Sequence, residues 1–404
     1  MIGTLIGIII AIFWVLHPLA HETNTIFMSA IIVVVAIPIL IINFLSQMWA
    51  WVPLQKAERN STPRILEMFR TDKRIIFAGI WLMAFPIISF GLVSDLLYFH
   101  QFNPTIVLAV WVILLGITLD ILRSHIHRIT SYLNPFIVVN LFTQQAKIAI
   151  SNNKEIDLCH WIDALSEVAV KGIQQHSTSI GNLALNEQQE IATLFLEASK
   201  SLAHPDQDTQ TKSLGITDKV SYVMIYMYQR IDMVFGKAIH NRLETTCSHI
   251  IVVLGKIAIS AAKYDVSLAS APLRFLGKCA KIAQDEGFEE TTLTALCTFY
   301  EVAKTILNDI DLQYYMIKDT FLSIINGMET LAKGDFRRNK EMDLNLLMQP
   351  FRDLLVLFDN PKVKNHQDAP IIISNIKRVL GEFEALQMVM ATMPKIPVVE
   401  PEKV

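Results

Sequence analysis

Lys56-Ala57-Glu58-Arg59-Asn60-Ser61-Thr62-Pro63-Arg64-Ile65-Leu66-Glu67-Met68-Phe69-Arg70-Thr71-Asp72-Lys73-Arg74 holds every Lys and Arg found among the first 122 residues. Around it lie four apolar spans, at about 2–16, 26–51, 75–97 and 104–122. Basic residues that flank spans stay on the cytoplasmic side, so the loop 53–74 reads as cytoplasmic. Both chain termini then fall on that side, and the two links without Lys or Arg, near His17 to Thr25 and Asp95 to Asn103, fall outside. Three spans approach or exceed the roughly 20 residues needed to cross a hydrocarbon layer, and the first is short. A cleaved signal peptide is the rival reading of that first segment. It lacks a basic n-region, and His17-Pro18-Leu19-Ala20 is a poor cleavage site.

The chain has 404 residues, of which 52% are hydrophobic and 18% charged, with mean hydropathy +0.39, more apolar than an ordinary soluble protein of this length. The excess sits at the N-terminus, and the part after Leu122 has globular composition. A net charge of −3 offers no basic footprint for nucleic acid, and that partner class is set aside. Four widely spaced cysteines, Cys159, Cys247, Cys279 and Cys297, read as reduced and mostly buried thiols.

After Leu122 the pattern becomes that of amphipathic helices. Leu158, Trp161, Ile162, Leu165, Val168 and Ala169 repeat at i, i+3, i+4 and i+7, as do Ile191, Leu194, Phe195, Ala198 and Leu202. Val220, Val223, Met224, Met227, Ile231, Val234 and Phe235 form another stripe, within a Tyr- and Met-rich run read as a core element or a partner-binding face. Further helices are expected near 242–263, 272–285, 289–308, 311–332, 343–359 and 370–391. Lys147-Ile148-Ala149-Ile150-Ser151 recurs as Lys256-Ile257-Ala258-Ile259-Ser260, and Phe195 to Lys200 resembles Phe299 to Lys304, about a hundred residues on.

The expected fold class is therefore all-α. It comprises a four-helix transmembrane bundle of two hairpins over 1–122 and a membrane-surface elbow over 123–145. A cytoplasmic multi-helix domain follows over 146–392, as one body or two stacked helical units, and then a disordered tail over 393–404. Ser61-Thr62-Pro63 reads as a helix start, and Pro63 to Arg70 as a short helix on the cytoplasmic leaflet. Arg64, Arg70, Lys73 and Arg74 are assigned to a membrane-surface collar. Pro38 and Pro86, in the middle of spans two and three, each free a backbone carbonyl. With Asn43 and Gln47 they are the candidates for lining a pore.

The other chemistry-bearing residues point to bland roles. His125 and His127 stand two apart among cations, and Cys159-His160 and Cys247-Ser248-His249 cannot converge on one ion from a helix, so no metal is expected. No phosphate loop, dinucleotide fingerprint or nucleophile elbow is present, so neither cofactor nor catalysis is expected. Asp95 and Asp120 end their spans, and no charge lies at a span centre.

Ser61 to Asp72, the two following spans, His125-Ile126-His127-Arg128-Ile129 and the helix Ile162 to Lys171 resemble a bacterial family of multi-pass membrane proteins known as a domain of unknown function. The resemblance implies a bacterial inner-membrane location and fold-level expectations only, because that family has no assigned activity. The function expected is a membrane-anchored helical scaffold or regulator. Its partners would be the lipid bilayer, an unidentified cytoplasmic protein and a further copy of the chain in a homo-oligomer. The alternative is an oligomeric channel lined by spans two and three.

Overall fold

The computed structural model describes residues 2–16, 25–60, 64–99, 103–202, 210–313, 315–338 and 343–392. The link at 17–24, the helix start Ser61 to Pro63, and the tail from 393 lie outside the described residues. The described residues hold helices and turns and no strand, and they divide into two units, Met1–Asn140 and Leu141–Val404.

The first unit contains α1 (Ile2–Leu16), α2 (Thr25–Asn60), α3 (Ile65–Thr71), α4 (Lys73–Ser94) and α5 (Pro104–Tyr132). Helix α4 continues as a π-helical turn over Asp95–Phe99, within the stretch expected as a link. Helix α2 passes through Pro53, where the apolar span was expected to give way to a loop. The ring removes one backbone donor, but Leu54, Gln55, Lys56, Ala57, Glu58 and Arg59 all favour helix and carry it on to Asn60. Helix α5 likewise runs ten residues past Leu122, so the first part of the expected elbow is an extension of the span. The chain breaks at Leu133 and Asn134. Pro135 then opens α6 (Pro135–Ser151), with Asn134 Oδ1 capping Phe136 N at 3.0 Å. The boundary between the units falls inside α6.

Three of the expected spans are helices long and apolar enough to cross a membrane, at Thr25–Arg59, Lys73–Phe99 and Pro104–Tyr132. The first expected span, α1, has only 15 residues. In this unit α2 packs on α4, α4 on α5, and α5 on α1. The hairpin expected between the first two spans is therefore replaced by a pairing of α1 with α5. The cause is close backbone approach. A Cβ on Gly3 would lie 2.8 Å from Gly116 O, and one on Gly7 would lie 2.9 Å from Val112 O. Asp120 then accepts from Gly3 N at 3.0 Å and from Thr4 N at 2.9 Å, satisfying free donors of the first turn of α1. Met28, Ile32 and Ile39 of α2, Leu82 and Phe85 of α4, and Val107, Leu108 and Trp111 of α5 form the interior. Val34, Ile80, Ile87 and Ile106 point outward and are more than half exposed.

The second unit stacks its helices in two layers. It begins in α6 and contains α7 (Glu155–Gln174), α8 (Thr178–Leu202), α9 (Gln210–His240), α10 (Glu244–Tyr264), α11 (Ser270–Asp285) and α12 (Glu289–Asp309). It ends with α13 (Lys318–Arg338), α14 (Leu344–Phe358), the single turn α15 (Pro361–Lys364) and α16 (Ala369–Thr392). Helices α7, α9, α11, α13 and α16 pack in succession, and so do α8, α10, α12 and α14. This next-but-one packing is the arrangement of an α-solenoid. Helix α10 is also long and apolar enough to cross a membrane, but it packs against α8, α9, α11 and α12 and supplies core residues such as Ile250, Leu254 and Ile257.

Four turns of this unit share one geometry. Asn153, His176, Arg242 and Gly287 have φ of 56°, 57°, 56° and 83°. The residue after each donates five positions back: Lys154 to Ala149 at 3.0 Å, Ser177 to Gly172 at 2.8 Å, Leu243 to Ala238 at 3.0 Å and Phe288 to Ala283 at 2.9 Å. These are Schellman caps, which satisfy the last carbonyls of one helix and reverse the chain into the next. Helix α13 begins at Lys318 rather than near 311, because Asp368 accepts from Ile317 N at 3.1 Å and Lys318 N at 3.2 Å and holds the start there.

Candidate functional site

The charged end of the first unit is built around Asp72. It caps α4 by accepting from Arg74 N at 2.9 Å. Its other oxygen accepts from Arg128 Nε at 2.7 Å and from Tyr132 Oη at 2.8 Å, both on the extension of α5. Burial pushes the Asp72 carboxyl up, but the hydrogen bonds from Arg128, Tyr132 and Arg74 outweigh it and hold the group below the usual carboxylate value. Phe69 of α3 meets the Tyr132 ring edge-on at 5.9 Å, and the Arg70 guanidinium lies 5.0 Å from the Trp51 ring centroid on α2. The loop helix α3 is thus tied to both α2 and α5. His125 is buried one turn above Arg128, and neither ring nitrogen has a hydrogen-bond partner.

The assigned collar residues hold different positions here. Arg64 sits in the left-handed region with φ 61° and precedes α3, Arg70 stacks on Trp51, and Lys73 and Arg74 are exposed in the first turn of α4. The organising group, Asp72, was not singled out by the sequence reading. Its signal was present: an Asp directly before Lys73-Arg74 and an apolar run is an N-cap pattern.

Beside this cluster, Val52, Gln55, Lys56, Glu58 and Arg59 of α2 and Leu66 of α3 line a cavity of about 820 Å³. Farther along the bundle, two tryptophans bridge α4 and α5 and a serine bonds back along its own helix. Trp111 Nε1 donates to Ser89 Oγ at 3.0 Å, Ser89 to Phe85 O at 2.9 Å, and Trp81 Nε1 to Thr118 Oγ1 at 3.1 Å. The pore candidates are placed as follows. Pro38 is exposed on α2, Asn43 is buried on the same helix and Pro86 is buried on α4, while the side chain of Gln47 lies outside the described residues.

In the second unit the polar groups also serve packing. Gln188 Nε2 donates to Ser166 Oγ at 2.6 Å, Ser248 and Thr291 share a hydrogen bond of 3.0 Å, and Arg230 pairs with Asp163 at 3.0 Å. Cys159, Cys247 and Cys279 are buried and Cys297 is exposed. Burial pushes the Cys279 thiol up, away from the reactive thiolate. Among the described residues no group of three or more His, Cys, Asp or Glu side chains is placed to hold a metal ion. The Tyr- and Met-rich run of α9 buries Val223, Met224, Met227 and Tyr228 and leaves Tyr222 and Ile225 outward.

No family model matches the chain, and no curated protein matches it. Among solved structures it is similar to a circular tandem repeat protein with novel repeat topology and enhanced subunit contact surfaces, at 11% identity and a TM-score of 0.20. That alignment covers 90% of this chain and 99% of the other. At that score the likeness carries no argument about fold or function.

Proposed function

We propose that this chain is a multi-pass integral membrane protein whose helical second unit is a non-catalytic scaffold or regulator for a cytoplasmic protein partner. The observation that carries the membrane reading is the inside-out polarity of the first unit. Outward-facing Val34, Ile80, Ile87 and Ile106 cover α2, α4 and α5, while all its Lys and Arg before residue 123 lie between Lys56 and Arg74. A bacterial inner membrane with both termini in the cytoplasm accords with that charge distribution. The scaffold reading is supported by the two-layer helical stack, an architecture that offers extended surface, and by polar groups already engaged in packing.

The test has two parts. Alkaline extraction of membranes should leave the full-length chain in the pellet, and reporters fused at each end should be active only in the cytoplasm; release into the supernatant would reject integration. Purified protein in sealed liposomes should leave them tight to ions and small solutes. A steady flux would instead favour the channel reading. Crosslinking of the full chain in cells, followed by loss of the crosslink on changing exposed residues of the second unit, would identify the partner surface.

A further inference from the structure

The cavity at the end of α2 has a chemistry of its own. Val52, Gln55, Lys56 and Arg59 recur at i, i+3, i+4 and i+7, so they form one stripe of α2, and Leu66 of α3 faces it. Lys56 and Arg59 are exposed, and neither makes an ion pair or hydrogen bond among the described residues. Glu58 stands at the same cavity, so the site carries two cations against one carboxylate. Above it on α2, Phe44, Met48 and Val52 follow at intervals of four and are all more than half exposed, which extends the stripe as an apolar ridge. The ridge ends where the charges begin. From Val52 to Arg59 the helix rises about 10 Å, comparable to the depth of a headgroup layer. Trp51, stacked under Arg70, adds an amphipathic ring at that level.

We infer that this cavity is a binding site for one anionic phospholipid, with the phosphate between Lys56 and Arg59 and an acyl chain along Val52, Met48 and Phe44. The proposal rests on the membrane reading given above. A free phosphate would satisfy the cations and leave the ridge uncovered; a zwitterionic lipid would cover the ridge and bring no net charge. A cation beside an anionic surface contributes about a fivefold gain in affinity, so the pair amounts to about thirtyfold.

The full-length protein, purified in micelles doped with equal phosphatidylglycerol and phosphatidylcholine, is examined by native mass spectrometry for retained lipid. Phosphatidylglycerol should be retained preferentially, and K56Q/R59Q should weaken it about thirtyfold. R337Q/R338Q, which changes two cations of the second unit, should leave retention unaltered. V52Q should weaken the lipid while sparing the two cations. Equal retention of both lipids, or K56Q/R59Q behaving as the parent, would overturn the proposal. Displacement of the lipid by millimolar inorganic phosphate, with V52Q silent, would assign the site to free phosphate and also overturn it. The membrane reading fails separately: a chain released by alkaline extraction that still retains phosphatidylglycerol through Lys56 and Arg59 keeps the site and loses the integral topology.

Discussion

Arg128 Nε donates to Asp72 Oδ2 at 2.7 Å, joining residues 56 positions apart at the charged end of the first unit. The Asp72 side chain is 8% exposed and that of Arg128 34%, so the pair is sheltered enough for its loss to be felt. D72N, which keeps size and removes charge, should destabilise the unit by about 2 kcal/mol, as expected for a hydrogen-bonded charged group. R128Q should cost a similar amount, and the double variant clearly less than the sum. Thermal melting of the full chain in detergent measures all three, and strict additivity would show that the two residues act independently.

Close approach of α1 to α5 depends on glycine. G116L places a branched side chain against the backbone of Gly3 and Thr4 and should destabilise by about 1–3 kcal/mol, with earlier proteolysis of the N-terminal helix. A Cβ at Gly91 meets nothing within 4 Å, so G91A should melt at or slightly above the parent temperature. Equal behaviour of the two variants would contradict the α1–α5 contact.

Two glycines in the second unit offer the same contrast inside a stack of helices. At Gly327 of α13 a Cβ would run into the Phe299 ring of α12, which is fully buried and has no room to retreat. G327A should therefore cost about 1–3 kcal/mol. Gly236 of α9 faces open space, and G236A should add about 0.5–1 kcal/mol through helix propensity alone. Denaturant midpoints of the two proteins should move in opposite directions.

The acid response of the second unit should be traceable to Glu329. Burial pushes its carboxyl up, but hydrogen bonds from Arg378 at 2.7 Å and Lys333 outweigh that and hold it below its ordinary value of 4.5. A native value below the unfolded one gives stability that is complete above the unfolded value and disappears as pH falls through the native value. E329Q should accordingly cost about 1 kcal/mol at pH 7, a modest figure because Arg378 and Lys333 are partly in water. The gap between parent and variant should close well below pH 4. A gap that persisted there would assign the effect to packing.

Apolar spacing in the sequence carried most of the helices, because a stripe such as Leu158, Ile162 and Leu165 is a direct record of which face is buried. Turns were harder. Only Gly287 among the four left-handed caps is a glycine, and Asn153, His176 and Arg242 take up the left-handed region at the same position of the cap. Helix partners in the first unit were also hidden, since Gly3-x-x-x-Gly7 marks a face for close packing without naming the helix that will use it. At the charged end the cations stood out by count, whereas Asp72 acquires its role only when α5 continues ten residues beyond its apolar stretch and brings Arg128 and Tyr132 within reach. The cavity of Lys56 and Arg59 depends in the same way on α2 passing through Pro53.

The next-but-one packing of the second unit bears on how the chain is made. Each helix from α7 to α14 finds its principal neighbours one or two helices away, so few contacts wait for distant sequence and the contact order is low. Loop closure then costs little entropy at each step, and the unit can assemble vectorially. As the chain leaves the ribosome, α7 and α8 can close on each other before α9 is synthesised, and each later helix docks on a surface already formed. The apolar face of α10 meets α8 and α9, which precede it in the chain, so part of its cover is already made when it emerges.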